Sequence, residues 1–208
     1  MVAPTRRWMM AAAAAALAAA SAPAFAQSGE PIRIGFGMAL TGPLSPNGKS
    51  ALLAHKIWEE DINAKGGLLG RPVKLIYYDD QSNPATVPGI YTKLLDVDKV
   101  DLIVGGYATN MLAPAMPVVI QRNKNFIGLL GLAVNSEFHY PNYFAMIPSG
   151  PDTKAEFTKG FFELAMAQNP KPQTIAIAAA DAEFSRNGAE GARENAKKAG
   201  LKIVYDRT

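Results

Sequence analysis

From residue 31 onward, short apolar runs alternate with longer stretches of helical period, and this rhythm admits few folds. Strand-like runs occur at Pro31–Met38, Arg71–Tyr78, Asp101–Val104, Phe126–Leu130, Phe144–Ile147, Thr174–Ala180 and Leu201–Tyr205. Each is too brief for a helix and most stop at glycine, proline or aspartate. Between them lie helical patterns: about Lys49 to Ala64, a segment opened by Ser82-Asn83-Pro84, one after Gly106, one carrying Phe157 to Met166, and about Phe184 to Ala199. Strand–helix–strand repetition predicts an α/β fold with a parallel sheet and right-handed crossovers.

One strand end stands out. The run Asp101-Leu102-Ile103-Val104 halts at Gly105-Gly106, and Tyr107-Ala108-Thr109-Asn110 leads into the apolar pattern Met111, Met116, Val119, Ile120. A helix start after a strand leaves backbone N–H groups without intrahelical partners, and the helix dipole favours negative charge there. With the Thr109 hydroxyl, such an edge suits a small carboxylate, in the place where α/β sheets hold their ligands. The plainer alternative is that Thr109 or Asn110 caps its helix. Pro114 and Pro117 fit only a first helical turn, which predicts a helix beginning later than Asn110.

The N-terminus carries Arg6-Arg7, an alanine-rich run and Ala24-Phe25-Ala26, the pattern of a secretory signal peptide cut after Ala26. Thr5-Arg6-Arg7 also resembles part of a twin-arginine signal, although the residues that follow favour ordinary secretion. The run is too short and weakly apolar to span a membrane. Without its two arginines the chain holds 19 basic and 18 acidic residues, so the basic character of the whole is not a nucleic-acid footprint. Cysteine is absent, which removes both a disulfide framework and a lipid-modified cysteine anchor.

Other candidates read more plainly. Gly35 and Gly37 begin a G-x-G whose third glycine is misplaced, so no dinucleotide fingerprint forms. His55 and His139 have no partner ligand nearby in sequence, and surface placement is expected for His55. Trp58 is expected to anchor its helix on the sheet. Asp79-Asp80 could bind a cation, but the spacing lacks further oxygens and favours capping the next helix. No residue set implies a metal or a cofactor.

The blocks "GMALTGPLSPNG", "DINAKGGLLGRPVKLIYYDDQSNP", "DLIVGGYATN" and "AVNSEF" resemble the periplasmic substrate-binding proteins of branched-chain amino acid ABC transporters, and the likeness covers Pro31 to Thr208. It implies the type I periplasmic-binding-protein fold, with Rossmann-like lobe one complete and lobe two partial. The corresponding division is a signal peptide at 1–26, an N-terminal lobe at 27–147, a crossing at 148–151 and an incomplete C-terminal lobe at 152–208. The family is roughly twice as long, and the second unit has only two clear strands with an uncovered edge; together these lead to the expectation of a truncated chain.

Carried over by position, Ala108 and Thr109 match the pair holding a ligand carboxylate, with Thr109 where serine is usual. Asn47 stands where many members place an aromatic ring over the ligand. Ala133 and Val134 match a loop that normally supplies an Ala-Thr contact, and Val134 cannot hydrogen-bond. Phe184 resembles a closing tyrosine of lobe two. These departures favour a carboxylate with an apolar or aromatic body and no ammonium group. The implied partners are a small amino acid or organic acid and the permease and ATPase subunits of an importer, with no nucleic acid and no direct membrane anchor. A ligand-sensing protein of the same fold is the alternative. A secreted α/β enzyme is disfavoured, because no nucleophile elbow, His–acid pair or P-loop is present.

Overall fold

In the computed structural model, which describes residues 29–147 and 149–208, the first strand β1 (Ile32–Met38) sits inside a five-stranded sheet. Helix α1 (Ser45–Ala64) leads to β2 (Val73–Asp79). A 3-10 turn at Pro84–Thr86, capped by the Asn83 side chain, opens α2 (Val87–Asp96), which leads to β3 (Leu102–Val104). Then come α3 (Thr109–Leu112), a 3-10 turn (Ala113–Ala115), α4 (Met116–Gln121), β4 (Phe126–Gly128) and β5 (Tyr143–Ala145). The order is β2-β1-β3-β4-β5, and every pairing is parallel.

The second unit contains α5 (Thr153–Met166), β6 (Thr174–Ala178), α6 (Glu183–Lys198) and β7 (Lys202–Arg207). Its two strands pair in parallel, as the alternating pattern predicts. Strand ends differ from the sequence expectation by two residues or so, the usual fraying of element boundaries. The proposed signal peptide and Pro148 lie outside the described residues. Among the described residues no helix is long and apolar enough to cross a membrane.

The prolines shape the path from Thr109 to Gln121. The helix begins at Thr109, earlier than expected, because Pro114 and Pro117 each open a fresh segment instead of interrupting one. A residue with no N–H is tolerated at a first turn, so three short pieces replace one continuous helix.

Two apolar clusters flank the main sheet. α2, α3 and α4 press Tyr91, Leu94, Leu112, Met116 and Val119 against Ile103 and Phe126. Tyr91 lies edge-on to Phe126, with ring centroids 5.6 Å apart, and donates its hydroxyl to the Val104 carbonyl at 2.8 Å. On the opposite face, α1 covers only Ile32, Ile34 and Val73 with their neighbours. The expected anchor Trp58 is instead 40% exposed. His55 departs from its expected surface position too: it is half-buried beside Phe36 at 4.8 Å, and its enclosed Nδ1 has no hydrogen-bond partner. Burial pushes its pKa down.

Candidate functional site

The carboxyl ends of β1, β2, β3 and β4 converge on a set of short loops, and the second of these strands ties the set together. Asp79 accepts hydrogen bonds from the Leu40 and Thr41 amides at 3.0 and 3.1 Å, from the Thr41 hydroxyl at 2.7 Å and from the Gln81 amide at 2.8 Å. Burial alone would push this carboxyl up, but the four bonds outweigh it and hold its pKa below the usual range. Neighbouring Asp80 is buried; its Oδ1 takes the Ser82 amide at 2.9 Å while Oδ2 has no partner. Burial, and then the adjacent Asp79 charge, push Asp80 up, partly opposed by the Ser82 bond. These two residues organise loops: Asn83, not either aspartate, caps the turn that follows. Among the described residues no cluster of His, Asp and Glu is arranged to hold a metal.

The Gly105-Gly106 turn is dictated by packing. A β-carbon on Gly106 would lie 2.6 Å from the Gly37 carbonyl oxygen, so glycine is what lets this turn pass so close to the end of β1. Ala108 then adopts φ 84° and ψ 148°, a region that side-chain-bearing residues rarely occupy. Its carbonyl accepts from the Met111 and Leu112 amides at 3.0 and 3.1 Å. The amides of Ala108, Thr109 and Asn110 find no acceptor among the described residues. The three peptide N–H groups therefore stand unused at a helix start.

The expected site residues are distributed unevenly around this edge. Asn47 lies in the first turn of α1 and donates from Nδ2 to the Tyr107 hydroxyl at 2.7 Å. That bond places Asn47 beside Ala108 and brings in an aromatic ring that the sequence reasoning did not single out. Tyr107 stands between the glycine pair and Ala108, and its ring is the signal the sequence offers. Thr109 is fully enclosed, and its Oγ1 accepts the Leu132 amide at 2.9 Å. The hydroxyl expected to donate to a ligand thus also holds the neighbouring loop. Asn110 is half-buried in the first turn of α3.

Ala133 and Val134 lie across from Thr109 on the β4–β5 loop. Val134 is only 4% exposed and joins the core beside α3, so its methyl groups serve packing first. Both residues border a cavity of about 530 Å³ that also meets Ser136, Tyr143, Ser149 and Thr153 near the crossing between the units. Tyr143 turns a buried hydroxyl inward without a partner, and burial raises its pKa to about 12. Phe184 does not join this group. It stacks edge-on against Phe157 at 5.4 Å, within the second unit.

Helix α6 faces the first unit through α3 and through Asn187, whose Nδ2 donates to the Leu132 carbonyl at 2.9 Å. Nothing in the sequence marked Asn187, one polar residue among many on this helix. Glu183, in its first turn, is pushed up by burial, drawn down by Arg186, raised by Glu137 of the opposing unit and lowered by Lys154.

Comparison with known proteins places this geometry among relatives. The family profile described as "Periplasmic binding protein" matches residues 31–208. The Leu/Ile/Val-binding protein of Escherichia coli K12 is 24% identical over 177 residues, which span 85% of this chain and 47% of that protein. A branched-chain amino acid transporter substrate binding protein from Streptococcus pneumoniae, solved with isoleucine, superposes with TM-score 0.69 at 19% identity, covering 85% of this chain and 49% of that one. A solute binding protein from Rhodopseudomonas palustris BisB5, solved with 3,4-dihydroxybenzoic acid, gives TM-score 0.71 at 19% identity over 84% and 46%. At such identity the two structures speak for the fold. The chain spans about half the length of the relatives it matches.

Proposed function

This chain belongs to the periplasmic binding protein family, and from that premise we propose that the whole protein is the extracytoplasmic solute-binding component of an ABC importer. It captures a small carboxylate between two lobes, divided at about residues 148–151, and delivers it to permease and ATPase subunits. The signal-like N-terminus, with cleavage after Ala26, fits a periplasmic location. Closure is a hinge motion without covalent chemistry.

One observation carries the reading: the unusual Ala108 backbone hands over to a helix start with three unused amides, beside the helix of the opposing lobe. Strained backbone of this kind persists where a binding edge needs a fixed geometry. The amides of Ala108, Thr109 and Asn110 receive the carboxylate, and Tyr107, steadied by Asn47, offers its ring to the ligand body. Ala133 stands on the neighbouring loop, whereas Val134 is taken up by the core and Phe184 by Phe157, so neither of these two supplies the grip.

The ligand class follows from what this edge lacks. Asn47, Tyr107, Thr109, Asn110 and Val134 carry no carboxylate to neutralise an ammonium group, and burial pushes Glu183 on the facing helix toward its neutral form. An acid with an apolar or aromatic body suits such a surface better than an α-amino acid, because an unpaired buried cation is costly. Both kinds of ligand occur among the relatives, isoleucine in one and dihydroxybenzoate in another. Calorimetric titration of the full-length protein with leucine, isoleucine, benzoate and dihydroxybenzoate decides between them. Binding of an aryl carboxylate is expected; tight leucine binding with no response to aryl carboxylates overturns this choice of ligand.

A further inference from the structure

Two asparagines on α6 do opposite jobs. Asn195 is buried, and its Nδ2 donates to the Ala155 carbonyl at 2.7 Å and the Thr158 hydroxyl at 2.9 Å, both on α5. Gly191 lets the two helices touch there, since a β-carbon would fall 1.9 Å from the Lys154 carbonyl oxygen. These contacts make α5 and α6 one rigid pair. Asn187, two turns earlier and about 12 Å along the axis, is rotated about 80° from Asn195 around the helix and reaches the Leu132 carbonyl. Apart from the crossing itself, this is the only hydrogen bond between the two lobes among the described residues.

The acceptor is held in place with unusual firmness. Leu132 is fully buried, and its amide is fixed by Thr109 Oγ1. The residues on either side of Gly131-Leu132, Leu130 and Ala133, take positive φ values of 50° and 59°. For a leucine that conformation is uncommon, and it occurs with the side chain itself 44% exposed. A loop locked from below therefore presents one backbone oxygen upward, and a rigid helix pair brings one amide donor down to it. A carbonyl accepts only from the NH₂ end, which fixes how the Asn187 amide faces.

We propose that Asn187 is a positioning residue for lobe closure: its bond to the Leu132 carbonyl forms when the clamp shuts and slows ligand release. The proposal rests on the two-lobe capture mechanism above. It predicts that the Thr109 hydroxyl, Leu132 and Asn187 act as one line from the ligand edge to the moving lobe. Whatever seats itself on the Thr109 amide is thereby coupled to closure through two hydrogen bonds.

The test uses the full-length protein with one dye on each lobe, as wild type, Asn187→Ala and Asn187→Asp. Alanine removes the donor without disturbing the helix, and aspartate sets a carboxylate against the carbonyl. In stopped-flow measurements with the best-bound carboxylate, Asn187→Ala should raise the dissociation rate about 3- to 10-fold, the effect of one lost hydrogen bond. The association rate should stay within about 2-fold, with a larger loss for Asn187→Asp. Energy transfer should show a smaller closed fraction in both variants with the melting temperature unchanged, a split that a merely structural residue would not produce. Unchanged release and unchanged closed fraction in both variants overturn the proposal. If no carboxylate binds at all, the mechanism above fails separately, and the ligand-free closed fraction still decides the role of Asn187.

Discussion

The two faces of the main sheet are finished differently. One carries α2, α3 and α4, whose Tyr91, Leu112 and Met116 are lost to solvent together with Phe126 of the sheet. The other carries only α1, over β1 and β2, and leaves a trough of about 550 Å³ bordered by Phe36, Trp58, Leu102, Ile127 and Phe144. Phe144 is 54% exposed there. Chain direction explains the asymmetry. The crossover from β1 to β2 runs one way along the sheet, and those from β2 to β3 and β3 to β4 run the other. Right-handed connections then place their helices on opposite sides. Parallel strands are normally buried on both faces, so the apolar residues of β3, β4 and β5 are patterned for a cover that these elements do not provide. The covered face supplies stability, and the open face records a demand for it.

Substitutions can break this contrast. Phe126→Ala on the covered face, which removes a ring packed between Tyr91 and Tyr143, should cost about 3–5 kcal/mol in chemical denaturation. At the rim where the faces meet, Asp79→Ala removes the carboxylate that ties Leu40, Thr41 and Gln81 together and should cost about 1–3 kcal/mol, with a matching loss of ligand affinity in the full-length protein. Ala108→Gly should move the other way, raising stability by about 1 kcal/mol as the strained φ is relieved. Phe144→Ser on the open face should shift stability of this chain by under about 0.5 kcal/mol. The same change in the longer protein sharpens the contrast: a cost approaching that of Phe126→Ala would mean that a further element covers the trough.

The fold was largely legible because its signals are local. Apolar runs ended by Gly105-Gly106, Asp79-Asp80 and Pro148-Ser149-Gly150 mark the strand ends without any knowledge of their neighbours. Trp58 and His55 depart from expectation because helical period says which residues share a face but not whether anything lies against it. α1 meets a sheet edge on only part of its length, so Trp58 stays half-open and His55 is drawn toward Phe36. The candidate edge is half legible. The strand–glycine–helix order announced free amides at Ala108 to Asn110. Leu132 and Asn187, which work through one backbone carbonyl and one amide some 55 positions apart, left no pattern in the residues around them. Val134 was read for its missing hydroxyl, yet its place is decided by the core beneath it.

Adjacent carboxyls pulled in opposite directions give lobe one an acid response with a turning point. Asp80, displaced upward, takes its proton in the folded chain before the unfolded chain would, so mild acid strengthens the fold as the first proton arrives. Asp79, displaced downward, resists protonation that the unfolded chain accepts, so stronger acid then weakens it. The pair's combined contribution should therefore crest near the ordinary aspartate value of about 3.9. Asp80→Asn should erase the rising limb alone, a difference readable in denaturation midpoints collected from pH 7 downward.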